Sequence, residues 1–248
     1  MEEECVFVHN TAKQMWLYIH NSNYYNDDDY SILSYYSDMI DLLFGQFDKM
    51  LNEILIKDKD MTYPFTDLKN SGIYGTEIVW SADSLLRVFS WMLPGGTAHF
   101  YGNAIQYKDA NSAVRSFSFG NEYNKLEYVA GAYEYDTVYT LEDNNKTIYI
   151  LYGQTMGSTR IVCHQLIAFS IQDELVPENI FEDKNGNITN EISICYEIGC
   201  SNISSYPFPR LTVDEKMKTI QIPEIDEEGC CTGKFIEYEF EGKKFKRK

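Results

Sequence analysis

The sequence predicts an α+β fold, mostly β, with N-terminal helices packed on a large antiparallel β-sheet, sandwich or partial barrel. Three observations carry this expectation. Apolar residues recur at helical spacing in the first quarter of the chain and at every second position after Gly72. Aromatic residues reach 15%, with 20 tyrosines, and such side chains suit pleated, half-buried surfaces. No helix-length periodic segment separates the later strands, which argues against βαβ units. The 248 residues are expected to form a single domain, with a helical region over 1–70 and an antiparallel β region over 71–248. A small β-propeller is the alternative, but no blade motif repeats.

The first helix is expected over 8–20, where Val8, Ala12, Met15, Trp16 and Ile19 fall on one face. Asn21 to Asp29 reads as a polar loop that delivers Asp27, Asp28 and Asp29 to the start of the next helix, where acidic groups meet unpaired N–H groups. The second helix is expected over 30–57. Its stripe is Ile32, Tyr36, Ile40, Leu43, Phe47, Met50 and Ile54, and Leu42, Phe44 and Leu51 widen it.

Beyond Gly72, Ile148-Ile150-Tyr152, Ile192-Ile194-Tyr196-Ile198, Ile220-Ile222 and Ile236-Tyr238-Phe240 alternate with more polar neighbours. That pattern predicts antiparallel sheet with one dry face and one wetter face. Hairpin tips are expected at Asp143–Lys146, Asp183–Asn187, Asp214–Lys216 and Glu241–Lys243. Alternation and turns together predict about ten to twelve strands.

The net charge of −17 excludes a nucleic-acid partner and an anionic lipid surface, since both repel an acidic chain. The single basic run, Lys243 to Lys248, reads as a solvated strand end. No window approaches the ~18 apolar residues of a membrane span, so no membrane insertion is expected. Met1-Glu2-Glu3-Glu4 lacks the basic start of a secretory signal. A cytoplasmic protein and an exported one whose signal was removed both fit.

The six cysteines are Cys5, Cys163, Cys195, Cys200, Cys230 and Cys231. An even count permits bridges without fixing them. Cys195 and Cys200 have a knuckle-like gap, but the adjacent Cys230-Cys231 pair is a poor second knuckle, so no metal is expected. No cofactor is implied, because the phosphate-loop, dinucleotide, nucleophile-elbow and H-E-x-x-H signatures are absent. His164 reads as a satisfied strand residue. Asp183–Asn187 fails calcium-loop spacing and reads as a turn. With 38 acidic residues, coincidental carboxylate pairs are inevitable.

The most unusual segment is Trp80 to Lys108. Pro94-Gly95-Gly96 predicts a reversal between two strands. Arg87 and Trp91 share a face of the first, and His99 and Tyr101 share a face of the second. If the register puts both faces on one side, Arg87, Trp91, His99 and Tyr101 form a partly exposed binding cluster; a slip of one residue separates them. Packing of these aromatics in a core hairpin is the competing reading.

Trp80, Arg87-Val88-Phe89-Ser90-Trp91, Gly95-Gly96-Thr97, His99-Phe100-Tyr101-Gly102-Asn103 and Ile105-Gln106-Tyr107-Lys108 resemble a group of uncharacterised proteins of Bacteroides-type gut bacteria. Tyr139-Thr140-Leu141 and Phe235-Ile236-Glu237-Tyr238 look similar too, so the resemblance spans about 75–245. It carries no known activity. It implies a bacterial, exported protein, which favours the periplasm or cell surface.

The reading that follows is a non-enzymatic binding or interaction module of a bacterial envelope protein, taking a polar ligand or a protein partner. The alternatives are a hydrolase acting on polar substrates such as glycans, with two carboxylates as acid and base, and a purely structural domain.

Overall fold

The computed structural model describes residues 2–21, 30–70, 76–93, 98–119, 133–143, 146–200, 209–216 and 218–248, without the side chains of 16, 18–21 and 30–37. The expected acidic helix start at Asp27–Asp29, the Pro94–Thr97 reversal and the outer stripe positions Trp16, Ile19, Ile32 and Tyr36 lie outside what is described.

Helix α1 (Glu2–Asn21) begins six residues before its expected start, α2 (Tyr30–Lys57) has the expected bounds, and α3 (Thr66–Lys69) is a single turn. Strands follow as β1 (Glu77–Trp80), β2 (Leu86–Leu93), β3 (Phe100–Lys108), β4 (Val114–Phe119), β5 (Glu134–Asp143), β6 (Lys146–Ser158) and β7 (Ile161–Ile171). The remainder are shorter on average: β8 (Leu175–Pro177), β9 (Phe181–Glu182), β10 (Ile188–Thr189), β11 (Glu191–Glu197), β12 (Thr212–Asp214), β13 (Thr219–Ile225), β14 (Cys231–Phe240) and β15 (Phe245–Arg247). The surplus over the expected count comes from pieces of two or three residues that alternation cannot register.

The strands form three sheets rather than one large one. Their orders are β1-β2-β3-β4, then β11-β7-β6-β5 with β8 on the end of β7, then β10-β9-β15-β14-β13-β12. Every described pairing is antiparallel except β15 with β9. None of the described sheets closes on itself.

Three apolar clusters stack these elements in layers. In the first, Phe47, Leu51 and Leu55 of α2 meet Phe89, Trp91 and Ala104 of the first sheet. Each fully buried side chain of this kind contributes roughly 1.5–3 kcal/mol. The opposite face of that sheet, with Leu86, Val88 and Ile105, meets Tyr135, Tyr149, Leu151 and Phe169 of the second. The far face of the second, with Ile148, Ile150, Tyr152 and Leu166, meets Ile220, Ile222, Tyr238 and Phe245 of the third.

This layering corrects the expectation of one dry and one wetter face. Strands β6 and β7 are buried on both faces, from Ile148 to Gly153 and from Val162 to Ser170. The alternation holds in β11 and in the outer sheet, where buried Ile220 and Ile222 flank exposed Gln221. The basic tail is β15. Lys244 pairs with Glu182, Lys246 with Glu241, and Lys248 with Glu237 and Glu239. No described helix is long and apolar enough to cross a membrane.

Candidate functional site

The β2–β3 ladder pairs Trp91 with Gly102 and Met92 with Tyr101. Arg87 and Trp91 therefore face the helices, and Tyr101 faces the second sheet. His99 precedes β3, is half-buried, and donates its amide to Met156 O at 2.8 Å. Arg87, Trp91 and Tyr101 are buried, at 1%, 0% and 7% exposure. The expected partly exposed cluster of Arg87, Trp91, His99 and Tyr101 does not form, because the register is the one that separates the two faces and both faces are covered.

Arg87 is instead a staple between sheet and helices. Its Nε donates to Gln106 Oε1, one terminal nitrogen to Tyr63 O at 2.8 Å, and the other to Asp58 Oδ2 at 2.5 Å. Its guanidinium carbon lies 4.6, 4.8 and 5.2 Å from the ring centres of Trp80, Phe65 and Phe89. Cations over aromatic faces gain most when desolvated. Phe65 holds φ 49° here, a costly conformation for a bulky residue, maintained by the packing of its ring. Trp91 lies over Gly102, where a Cβ would fall 2.5 Å from the indole. Each of the three guanidinium nitrogens of Arg87 donates to the chain itself and the residue is 1% exposed, so this cluster offers nothing to a ligand.

A second polar centre lies where β5 borders the outer sheet. The β5–β6 ladder slips between Tyr135 and Thr137, leaving Asp136 as the extra residue of a bulge. Bulges re-aim side chains and are common beside functional sites. Glu134 pairs across to Gln154, and Gln154 to His164, so these three share a face with Tyr152. Asp136 accepts from Thr137 Oγ1 at 2.7 Å and from Gln154 Nε2 at 3.4 Å. The Tyr101 hydroxyl hydrogen-bonds Glu134, so Tyr101 is the one expected residue that reaches this centre. Glu134, Asp136, Tyr139 and Gln154 are half-exposed, and Arg210 is exposed.

Beneath these residues runs a fixed chain of hydrogen bonds. Tyr196 donates to Pro209 O at 2.6 Å. Its one proton is thereby used, so at 3.2 Å it accepts from His164 Nε2. Nδ1 is then bare and accepts from the Tyr152 hydroxyl at 2.8 Å. His164 is neutral in this arrangement. Burial, with Arg210 adding repulsion, pushes its pKa down to about 4. Burial likewise raises the Tyr152 and Tyr196 phenols, so both keep their protons. The satisfied-strand reading of His164 thus describes its bonding; the chain fixes Tyr152 in place.

The carboxylates above it are held against ionisation. Glu134 is raised by burial, then by repulsion from Asp136 and Glu77. Asp136 is raised by burial, with the Thr137 bond and Arg210 acting the other way. Arg210 acts through space on Asp136, Tyr139, Tyr152, His164 and Tyr196. Two residues further on, an open polar groove of about 470 Å³ begins, lined by Thr212, Asp214, Lys216, Thr219 and Gln221.

The cysteines form two bridges, Cys163–Cys195 across β7 and β11, and Cys200–Cys230 between the end of β11 and the start of β14; Cys5 and Cys231 are free and buried. The two residues of the expected knuckle, Cys195 and Cys200, go to different bridges. No metal-holding group of His, Cys, Asp or Glu occurs among the described residues.

Sequence reasoning passed over Glu134, Asp136, Gln154 and Arg210. One signal was available. Gly153 interrupts a strand of bulky residues, and glycine inside a strand marks a bulge or a close approach. A Cβ there would fall 2.8 Å from Tyr133 and 2.9 Å from Tyr135. Comparisons with protein-family models, curated proteins and solved structures give no match for this chain.

Proposed function

We propose that this chain is a non-enzymatic binding module for a neutral, polyhydroxylated ligand such as a glycan, held at the β5 bulge by Glu134, Asp136, Gln154 and Arg210. The observation that carries the reading is their convergence, with Glu134, Asp136 and Gln154 half-exposed and Arg210 exposed, over buried Tyr152, whose position the His164–Tyr196 chain fixes. Carboxylates, an amide and a guanidinium supply directed donors and acceptors for hydroxyl groups, and half-exposed Tyr139 supplies flat apolar area, while buried Tyr152 underlies the site. The groove from Thr212 to Gln221 begins two residues beyond Arg210 in the chain, which favours an oligomeric ligand over a single sugar. Two bridges in one chain support an oxidising compartment, in keeping with a bacterial envelope protein.

A hydrolase is the second reading, favoured by one observation. Two adjacent carboxylates with raised pKa, Glu134 and Asp136, suit general acid–base work. Incubating the protein with oligosaccharides that it binds separates the two. Unchanged sugars support the module. Cleavage lost in both Glu134→Gln and Asp136→Asn supports the hydrolase.

A further inference from the structure

Both bridges converge on one strand. Cys195 lies within β11 and Cys200 just after it, and among the described strands β11 is an outer strand of its sheet, paired to β7 alone. Cys195 and Cys163 sit directly opposite each other in the ladder, with Cα atoms 4.1 Å apart. The residue after Cys163 is His164, and the residue after Cys195 is Tyr196. The bridge therefore clamps the two backbones beside the His164–Tyr196 hydrogen bond. Cys195 is exposed, whereas Cys200 and Cys230 are half-buried.

We infer that the Cys163–Cys195 bridge is a reducible switch that sets the hydrogen-bonded state of His164. A dithiol reductant meets Cys195 from solvent. Its thiolate attacks the bridge, a second exchange closes the reductant's own disulfide, and two electrons and two protons pass to Cys163 and Cys195. Without the covalent clamp, β11 is held to β7 by ladder bonds at a sheet edge, where local opening is easiest. Opening there withdraws the Tyr196 oxygen from His164 Nε2 and releases Tyr152 at the other ring nitrogen. The oxidised form is then the one with Tyr152 fixed. Its consequence for ligand binding rests on the cleft reading above; its consequence for His164 does not.

The test uses the whole chain, titrated with dithiothreitol under native conditions. Mass tagging of thiols is expected to label Cys163 and Cys195 before Cys200 and Cys230, with circular dichroism unchanged. In the oxidised protein, nitrogen NMR of His164 shows one tautomer, protonated at Nε2. After selective reduction the two tautomers average, and the Tyr196 amide exchanges at least tenfold faster. Reduction of Cys200–Cys230 first, reduction only with global unfolding, or an unchanged His164 signal after selective reduction each overturns the inference. No ligand enters these readouts, so a failure of the glycan reading leaves them interpretable.

Discussion

Arg87 and Arg210 sit in opposite circumstances. Arg87 is 1% exposed, and its nitrogens are consumed by Gln106, Tyr63 and Asp58. Arg210 is exposed and acts on Asp136 and a tyrosine-rich wall through space. The first is an arginine whose work is finished when the chain folds. The second leaves its donors facing solvent beside carboxylates that burial holds against ionisation. Arginine among aromatics therefore signals binding only when its donor directions remain open; when the chain fills them, the same composition signals a staple.

The comparison breaks most readily at the staple. Arg87→Ala leaves Asp58 and Gln106 without their cation and removes three ring contacts. Loss of one partner from a buried charged pair costs about 3–5 kcal/mol, so the denaturation midpoint should fall steeply. Trp91→Ala should cost a similar amount, about 3–5 kcal/mol, by opening a cavity beside Phe47 and Gly102. A melting temperature within a degree of wild type for either variant would return that residue to the surface role first expected of it.

Acid should act next, through the buried histidines. Burial pushes His9 and His164 each down to about 4, against about 6.5 in an unfolded chain. Between those values the unfolded chain binds more protons. The stabilising contribution is whole above pH 6.5 and is lost as the pH falls toward 4, at most about 3 kcal/mol for each histidine. Glu134 and Asp136 work the other way, because their raised pKa lets the folded state take up protons first. Chemical denaturation from pH 7 to pH 4 should show net loss, and His164→Gln should remove part of the slope. A flat profile would contradict the neutral, doubly bonded imidazole.

A smaller effect is expected at Gly102. Its Cβ has no room over Trp91, so Gly102→Ala should cost about 1–3 kcal/mol through overpacking, measured as a shift in urea midpoint at unchanged slope. The smallest effect is also the most telling. Asp136→Asn removes a carboxylate whose ionisation burial opposes, so it should stabilise the protein slightly at pH 7 while abolishing binding. A residue kept at a cost to stability marks a site; one whose loss destabilises marks the scaffold.

Much of the scaffold was legible in the sequence. The bounds of α2 follow from an apolar stripe that only a helix satisfies, and β13 follows from Ile220 and Ile222 around Gln221. The doubly buried strands were not legible as such. A strand covered on both faces loses the polar alternation that reveals its orientation, so β6 read as if one face were wet. The fate of Trp91 and His99 depended on a one-residue choice of register, which the described turn flanks, Leu93 and Phe100, decide and their composition does not. Asp136 was hidden for a related reason: a bulge shifts the period by one, and one acidic residue among 38 carries no mark until the ladder is drawn.

The measurement that bears most directly on the contrast between the two arginines is an array of neutral oligosaccharides probed with wild-type protein, Asp136→Asn and Arg210→Ala, each first shown to be folded by circular dichroism. Wild type should bind a subset of the sugars, and both variants should lose at least ten-fold in affinity for it. Absence of binding to any neutral sugar, or binding indifferent to both substitutions, would contradict the assignment of the β5 bulge as the functional surface.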